Sequence, residues 1–140
     1  MADFEKAFVR TEKFEGKNIW THIDGDSGEE TWSGISRKAN PKWKGWAILD
    51  KIPNKRNNQT ISTPELESLK RDLYRSNYWD VVWGDKIINQ NVANDMYDTA
   101  VNTGTSMSIK FAERQFKMIE TGKMSQVLLN KLNSVTELKR

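Results

Sequence analysis

Residues 26–35 read Asp26-Ser27-Gly28-Glu29-Glu30-Thr31-Trp32-Ser33-Gly34-Ile35. The aspartate, serines and glycines of this stretch are typical of turns, and the part from Glu30 to Ile35 favours a short strand or hairpin. The segments before and after it carry apolar residues at helical spacing instead. The stretch therefore decides the fold class, and we predict a mainly α domain with one small β-hairpin or irregular element near residues 20–36.

Helical patterning flanks this element on both sides. A first helix is predicted over residues 3–15, with Asp3 as its N-cap. A second helix is predicted to begin after Ser62 and Thr63, with Pro64 in its first turn, and to end near residue 79. Ser62 and Glu65 form a capping-box pattern at its start. Three further helices are predicted between residue 86 and the C-terminus, and the polar residues 53–63 are predicted to form a loop.

Composition narrows the classes of chemistry. The chain has 140 residues, which suits one domain, with 22 Lys and Arg against 19 Asp and Glu and a net charge of +3. It contains no cysteine, which excludes disulfide scaffolds, cysteine-based zinc sites and thiol catalysis. Its one histidine, His22, has no serine-centred motif nearby, which argues against a catalytic triad. Carboxylate chemistry and binding remain.

The N-terminus and the hydropathy pattern bear on localisation. The first residues are charged where a secretory signal needs an apolar run, and no stretch approaches the roughly 20 apolar residues of a membrane span. We therefore expect synthesis in the cytoplasm without a recognisable signal peptide, and no integral membrane segment.

Glu15 lies at the end of the first predicted helix. At about 100° per residue it falls about 20° from Phe4 on the helical wheel, on the apolar side. Burial against apolar groups raises the pKa of a carboxyl group and keeps it protonated, as a general acid for glycosidic cleavage requires. A cap for the following segment, or an ion pair with a lysine, would explain the same position.

The acidic turn after this helix supplies further candidates. Asp26 follows Glu15 by eleven residues, and Thr31 comes five residues later. The aspartate can stabilise an oxocarbenium-like transition state or hold a water, and the threonine hydroxyl can orient that water. A calcium loop is disfavoured because Glu29 and Ile35 stand where an EF-hand requires glycine and glutamate. A solvated acidic turn remains the alternative.

Six tryptophans are many for a chain of this length. Aromatic rings stack on sugars and also fill cores, so both roles stay open for each residue. The candidate substrate-binding residues are Trp32, which adjoins Thr31, together with Tyr78 and Trp79. Asn102 joins them because its amide, at a helix end, can hydrogen-bond an N-acetyl group; a helix-terminal turn is the alternative.

A basic and aromatic segment is the one signal for nucleic acid. Lys42 and Lys44 alternate with Trp43 and Trp46, a pattern found in single-strand binders. The segment is short and the net charge is small. We therefore expect no nucleic-acid partner, and a nucleic-acid binder is the weakest of three hypotheses.

Three segments resemble the glycoside hydrolase family 108 muramidases of phages and bacteria, formerly described as secretion activators. That family's first helix ends in Glu-Gly-Gly-Tyr, and residues 15–18 read Glu-Gly-Lys-Asn. Its loop Asp-x-Gly-Gly-x-Thr-x-x-Gly-Ile resembles residues 26–35, and its Asp-x-Ala-Val-Asn-x-Gly segment resembles residues 98–104. The resemblance covers residues 4–104.

The sequence departs from this family in three places. Lys17 and Asn18 replace a glycine and a tyrosine, and Glu29 replaces a glycine. The spacing from Glu15 to Asp26 is about two residues longer than the family's. The region after residue 104 is shortened and keeps only an outline of the family's peptidoglycan-binding-like turn.

The resemblance implies a lysozyme-like fold that cleaves the β-1,4 bond between N-acetylmuramic acid and N-acetylglucosamine, in the manner of a phage or prophage endolysin. It implies that Glu15 is the general acid, Asp26 the electrostatic stabiliser and Thr31 the water-orienting residue. It also implies a catalytic core over residues 1–104, with C-terminal helices over 105–140 packing on the same domain.

Partners and cofactors follow from the same resemblance. The expected partner is the glycan strands of peptidoglycan, the expected place of action is the bacterial cell wall or periplasm, and no metal or organic cofactor is required. A monomer is favoured. The rival hypothesis is a non-catalytic module of the same fold that binds wall glycans without cutting them.

Overall fold

The computed structural model describes residues 1–13, 16–23 and 29–139. Helices dominate these residues, as predicted. They are α1 (Phe4–Glu12), α2 (Gly45–Asp50), α3 (Pro64–Tyr74), α4 (Gln90–Thr103), α5 (Thr105–Gln115) and α6 (Gln126–Leu132), with a π-helical turn at Arg75–Trp79 and a 3-10 turn at Gly84–Lys86.

The β element is an antiparallel sheet with the order β3-β2-β1-β4. Its strands are β1 (Ile19–His22), β2 (Glu30–Trp32), β3 (Ile35–Ser36) and β4 (Gln59–Thr60). The first three lie inside the predicted region 20–36 or begin one residue before it. The fourth corrects the prediction of a loop over residues 53–63, because Gln59 and Thr60 pair with Trp20 and Ile19. A two-residue edge strand in a polar segment carries no alternation that could reveal it.

The register of the sheet separates two kinds of side chain. Trp20 pairs with Trp32, and Trp32 pairs with Ile35, and these three side chains are buried. Because side chains alternate along a strand, the neighbouring row that contains Thr21, Thr31 and Ser36 lies on the opposite face. One face of the sheet is thus apolar core, and the other carries a row of hydroxyl groups.

The chain divides into two compact units. The sheet unit comprises Thr11–Leu73, and the helical unit comprises Met1–Arg10 with Tyr74–Arg140. Contacting aromatic rings form the core of the helical unit, with centroids 5.5 to 6.0 Å apart; the rings are those of Phe4, Phe8, Tyr74, Trp79 and Tyr97. The helix pair α4 and α5, which flanks Gly104, belongs to the helical unit.

Helix caps confirm one prediction and correct another. The Asp3 carboxylate accepts a hydrogen bond from the Glu5 backbone N–H at 3.0 Å, as an N-cap does. At α3 the predicted capping box is wrong, because the Thr63 hydroxyl accepts from the Leu66 backbone N–H at 3.1 Å and acts as the cap. Ser62 instead donates to Glu67 at 3.2 Å. The cap is one residue later because Pro64 takes the first helical position.

A glycine fixes the packing after the π-helical turn. A Cβ on Gly84 would lie 2.2 Å from the ring of Trp79, so no larger residue fits there without moving that ring. Within the described residues, no helix is both long and apolar enough to cross a bilayer.

Candidate functional site

Two predicted catalytic residues, Glu15 and Asp26, lie outside the described residues. The third, Thr31, lies at the middle position of β2, in the interior of the sheet. Its side chain is half-buried and shares a hydrogen bond with the Thr21 hydroxyl, directly across the strand pair. A hydroxyl group has one donor and two acceptor positions, so this bond leaves Thr31 with capacity to bind water.

Thr31 belongs to the hydroxyl row on the polar face of the sheet. Ser36 lies opposite Thr31 on β3 and donates to the Glu29 carboxylate at 3.0 Å. The glutamate that replaces a family glycine therefore has a defined contact at the start of β2. The row runs across three strands and offers hydroxyl and carboxylate oxygens to a polar ligand.

Glu30 anchors the strand that carries Thr31. Its carboxylate accepts from the Trp20 indole N–H at 2.8 Å and from the Arg37 guanidinium at 2.9 Å. Arg37 also forms a bidentate pair with Asp50, at 2.8 and 2.9 Å, and lowers the pKa of the Asp50 carboxyl. A planar guanidinium suits this paired geometry. Arg37 therefore links Glu30 on β2 to Asp50 at the end of α2.

Trp32 corrects a sequence prediction. Its ring is 0% exposed, its indole N–H donates to the Ile61 carbonyl at 2.9 Å, and it stacks on Trp43 with centroids 5.8 Å apart. A ring with no exposed surface presents nothing to a glycan in this structure. The substrate-binding role predicted for Trp32 is therefore replaced by a core role. The period-two alternation of β2 turns Trp32 inward wherever Thr31 faces outward.

A buried ion cluster lies behind the sheet. The Lys70 side chain is 0% exposed, and its ammonium contacts the carboxylates of Glu12 and Glu67, the latter at 2.9 Å. The same ammonium donates to the Asn18 amide oxygen at 2.8 Å and lies 5.4 Å from the centre of the Trp32 ring. We call Lys70, Glu12, Asn18 and Glu67 the lysine cluster.

The lysine cluster sets the protonation of Glu67. Burial alone would raise the pKa of this carboxyl, but the hydrogen bond and the charge of Lys70 outweigh burial. Hydrogen bonds from Asn18 and Ser62 act in the same direction, and the pKa of Glu67 is lowered from its usual value. Lys70 therefore faces a Glu67 carboxyl whose charged form is favoured, as a buried ammonium requires.

Asn18 is held at each of its backbone polar groups. Its backbone is left-handed, with φ of 58°, a conformation that asparagine tolerates better than most residues. The backbone N–H donates to the Ser33 hydroxyl at 3.0 Å, and the carbonyl accepts from the Ile61 N–H at 2.8 Å. With its side chain bound by Lys70, this residue is a fixed point where the chain enters β1.

The remaining candidates lie in the helical unit. Trp79 is 0% exposed and its indole N–H donates to Asp85 at 2.8 Å, so its predicted substrate-binding role is corrected to a core role. Tyr78 is partly exposed and stacks on Tyr74 with centroids 5.6 Å apart. Asn102 is exposed near the end of α4, where its amide donates to Asp98 at 3.5 Å. Tyr78 and Asn102 present polar groups at the surface and remain candidates.

Sequence reasoning missed the lysine cluster, although a signal was present. Leu66, Leu69 and Leu73 mark the inward stripe of α3, and Lys70 falls about 40° from Leu66 on the same wheel. A lysine on an apolar stripe points to a buried ion pair or to a snorkelling side chain. Two of its partners, Glu12 and Asn18, could not be identified from the sequence, because they lie more than fifty residues away on α1 and before β1.

Metal binding finds no support in the part of the chain that the structure describes. No group of three or more His, Asp or Glu side chains in residues 1–13, 16–23 and 29–139 is arranged to hold an ion. The carboxylates of the lysine cluster face an ammonium instead.

Comparison with known proteins identifies the family. The family model described as Glycosyl hydrolase 108 matches residues 8–104. The chain is similar to a solved structure, "Structure of Brucella abortus SagA", with 22% identity and a TM-score of 0.65, over 94% of this chain and 69% of that one. No curated protein matches the chain. The predicted mainly α, lysozyme-like fold with a small β element is confirmed. Because the family model covers more than half of its residues, this chain belongs to the glycosyl hydrolase 108 family.

Proposed function

We propose that the protein is a peptidoglycan hydrolase that cleaves the β-1,4 bond between N-acetylmuramic acid and N-acetylglucosamine. The observation that carries the proposal is the family match over residues 8–104, which spans Glu15, Asp26 and Thr31 together. The net charge of +3 suits an anionic wall polymer as substrate. The place of action under this proposal is the bacterial cell wall.

Glu15 is the proposed general acid. Its carboxyl group donates a proton to the glycosidic oxygen while the bond from that oxygen to the sugar C1 breaks. The residues that support this role are its neighbours in the chain, since Glu12 and Asn18 are both bound by the Lys70 ammonium. A general acid must meet its proton acceptor within hydrogen-bond distance, so fixed flanking residues are an advantage.

Asp26 and Thr31 complete the proposed reaction. The Asp26 carboxylate stabilises the positive charge that develops on the sugar ring, and the Thr31 hydroxyl orients the water that adds at C1. Support for Thr31 comes from its place within the sheet, where Thr21 holds its hydroxyl and Glu30 anchors its strand. The attacking water keeps one proton as part of the new C1 hydroxyl group and gives the other to a carboxylate. This proton balances the one that Glu15 donates to the leaving oxygen.

Asn102 and Tyr78 are proposed to contact the glycan. The Asn102 amide is exposed and suited to hydrogen bonds with an N-acetyl group. Tyr78 is partly exposed and its ring stacks on Tyr74, a combination suited to sugar contact.

Product analysis tests the proposed bond. Purified peptidoglycan is incubated with the protein, and the soluble products are reduced with borohydride and identified by mass. The proposal predicts fragments ending in reduced muramic acid. Fragments ending in reduced glucosamine would overturn the assigned bond. Pull-down by insoluble peptidoglycan with no new reducing ends would establish the rival, a wall-binding module without catalysis.

A further inference from the structure

The lysine cluster holds a buried charge that the proposed reaction does not use directly. Transfer of an ammonium group into a protein interior costs several kcal/mol unless its partners compensate it. Lys70 is 0% exposed, and the described contacts give it two carboxylates and one amide oxygen. An apolar residue at the same position would fit the leucine stripe of α3 without that cost. The arrangement of the partners shows what the charge contributes.

The partners of Lys70 come from three places in the chain. Glu67 lies one turn earlier on α3, Glu12 is the last residue of α1, and Asn18 immediately precedes β1. A bond to Glu67 adds little tertiary constraint, because the two residues share a helix. The bonds to Glu12 and Asn18 do constrain the tertiary structure, because one ammonium holds the two residues that flank residues 13–17.

We infer that Lys70 is a positioning residue for the general acid. This inference rests on the proposed function, because Glu15 lies within residues 13–17. Lys70 does not need to touch the substrate to act. It fixes the residue three positions before Glu15 and the residue three positions after it. An error of about 1 Å in the placement of a catalytic group can cost about a hundredfold in rate.

The core behind β2 supports the same role. Trp32 covers Lys70 with its ring centre 5.4 Å from the ammonium, and Trp32 is itself fully buried. Trp32 directly follows Thr31 on β2, so the cation packs against the buried face of the strand that carries the proposed water-orienting hydroxyl on its opposite face. The lysine cluster therefore braces the chain on both sides of Glu15 and contacts the strand of Thr31.

Kinetics of Lys70→Met test this inference against a matched control. Methionine keeps an unbranched side chain that is one heavy atom shorter and removes the ammonium group. The control is Lys55→Met: Lys55 also donates to two backbone carbonyls and lies 5.2 Å from a tryptophan ring, but the described contacts give it no bond to Glu12 or Asn18. Initial rates are measured over a range of concentrations of soluble, uncrosslinked glycan strands, at a temperature where circular dichroism shows each variant folded.

Positioning predicts a split between the kinetic constants. Lys70→Met should lower kcat about a hundredfold and change KM less than about threefold, while Lys55→Met keeps both constants. A folded Lys70→Met with the kcat of the unmodified protein would overturn the inference and leave the proposed function standing. Absence of cleavage by the unmodified protein would instead remove the proposed function.

A second pair of variants keeps the test decisive if Lys70→Met does not fold. Asn18→Gly removes one partner of Lys70 and preserves a left-handed backbone. The control is Asn58→Gly, which makes the same change at another left-handed asparagine, with φ of 69°. Asn18→Gly should lower kcat about tenfold, and Asn58→Gly should not. Equal kcat values in the two glycine variants would contradict a positioning role.

Discussion

Each unit buries a titratable residue, Glu113 in the helical unit and Lys70 in the sheet unit, and the two side chains are held in different ways. In the helical unit, Glu113 on α5 is 1% exposed and accepts from the backbone N–H groups of Thr121 and Gly122 and from the Thr121 hydroxyl, at 2.8 to 2.9 Å. In the sheet unit, Lys70 contacts the carboxylates of Glu12 on α1 and Glu67 on α3. Glu113 thus closes one local turn, whereas Lys70 joins distant parts of the chain.

This difference separates stability from catalysis. A carboxylate whose hydrogen bonds all come from neutral donors of one turn has a structural role, and its loss should affect stability alone. A cation that joins α1, the entry to β1 and α3 next to predicted catalytic residues should affect rate as well. The following four predictions test that division, from the largest expected effect to the smallest.

Asp26→Asn should produce the largest change. The amide retains the shape of the side chain but cannot stabilise positive charge on the sugar, so kcat should fall about a thousandfold with the fold intact. Asp24→Asn removes the same charge two residues earlier in the chain and should leave kcat within about threefold. The measurement is the initial rate of reducing-end formation. Equal losses in both variants would contradict a specific catalytic role for Asp26 and indicate a nonspecific effect of negative charge.

Thr31→Val should produce the next largest change. Valine keeps the β-branched shape and removes the hydroxyl that is proposed to orient water, so kcat should fall about a hundredfold. Thr31→Ser should recover most of that loss because it restores the hydroxyl. The control is Thr60→Val on the exposed edge strand β4, which should be neutral. A fully active Thr31→Val would contradict a role for this residue in the mechanism and make the Thr21 hydroxyl the next candidate.

Glu113→Gln should change stability and leave the rate unaltered. The amide places a donor against N–H and hydroxyl donors of the turn, so the free energy of unfolding should fall by about 2 kcal/mol. Glu120→Gln on the neighbouring exposed residue is the control and should leave the urea midpoint in place. A folded Glu113→Gln with reduced kcat would break the distinction between the two buried groups.

The smallest effect concerns acid stability. The pKa of Glu67 is lowered in the folded state, so below its usual value of 4.5 the unfolded chain binds more protons than the folded one. The stabilising contribution of Glu67 is present above that pH and is lost as the pH falls through the folded-state value. Glu67→Gln should flatten this acid dependence by about 1 kcal/mol or less, and the exposed Glu65→Gln should leave it unchanged. Urea titrations between pH 7 and pH 3 measure it.

The sequence predicted the fold class well because its signals were local. Apolar spacing, the Asp3 cap and the glycine-rich stretch each depend on neighbouring residues, and the structure has the corresponding elements. The edge strand at Gln59–Thr60 was missed because two polar residues carry no strand pattern, and their pairing with β1 is a tertiary contact. The capping error at Ser62 shows the same limit at the scale of one residue.

The candidate site was predicted less completely. Placing Thr31 on a strand followed from its local sequence, and the burial of Trp32 is the consequence of the same alternation, which the aromatic argument did not apply. Lys70 lay on an apolar stripe, but its contacts with Glu12 and Asn18 span more than fifty residues. Such long-range ion clusters cannot be located from spacing alone.

The most direct test of the central claim compares Glu15 with Glu12, the last residue of α1. Glu15→Gln and Glu12→Gln remove the same charge three residues apart, and Glu12 is a partner of Lys70 while Glu15 is the proposed acid. Release of muramic-acid-terminated fragments from peptidoglycan is measured for both. The proposal predicts a loss of about a thousandfold for Glu15→Gln and about tenfold for Glu12→Gln. Activity of Glu15→Gln equal to that of the unmodified protein would contradict the assignment of the acid.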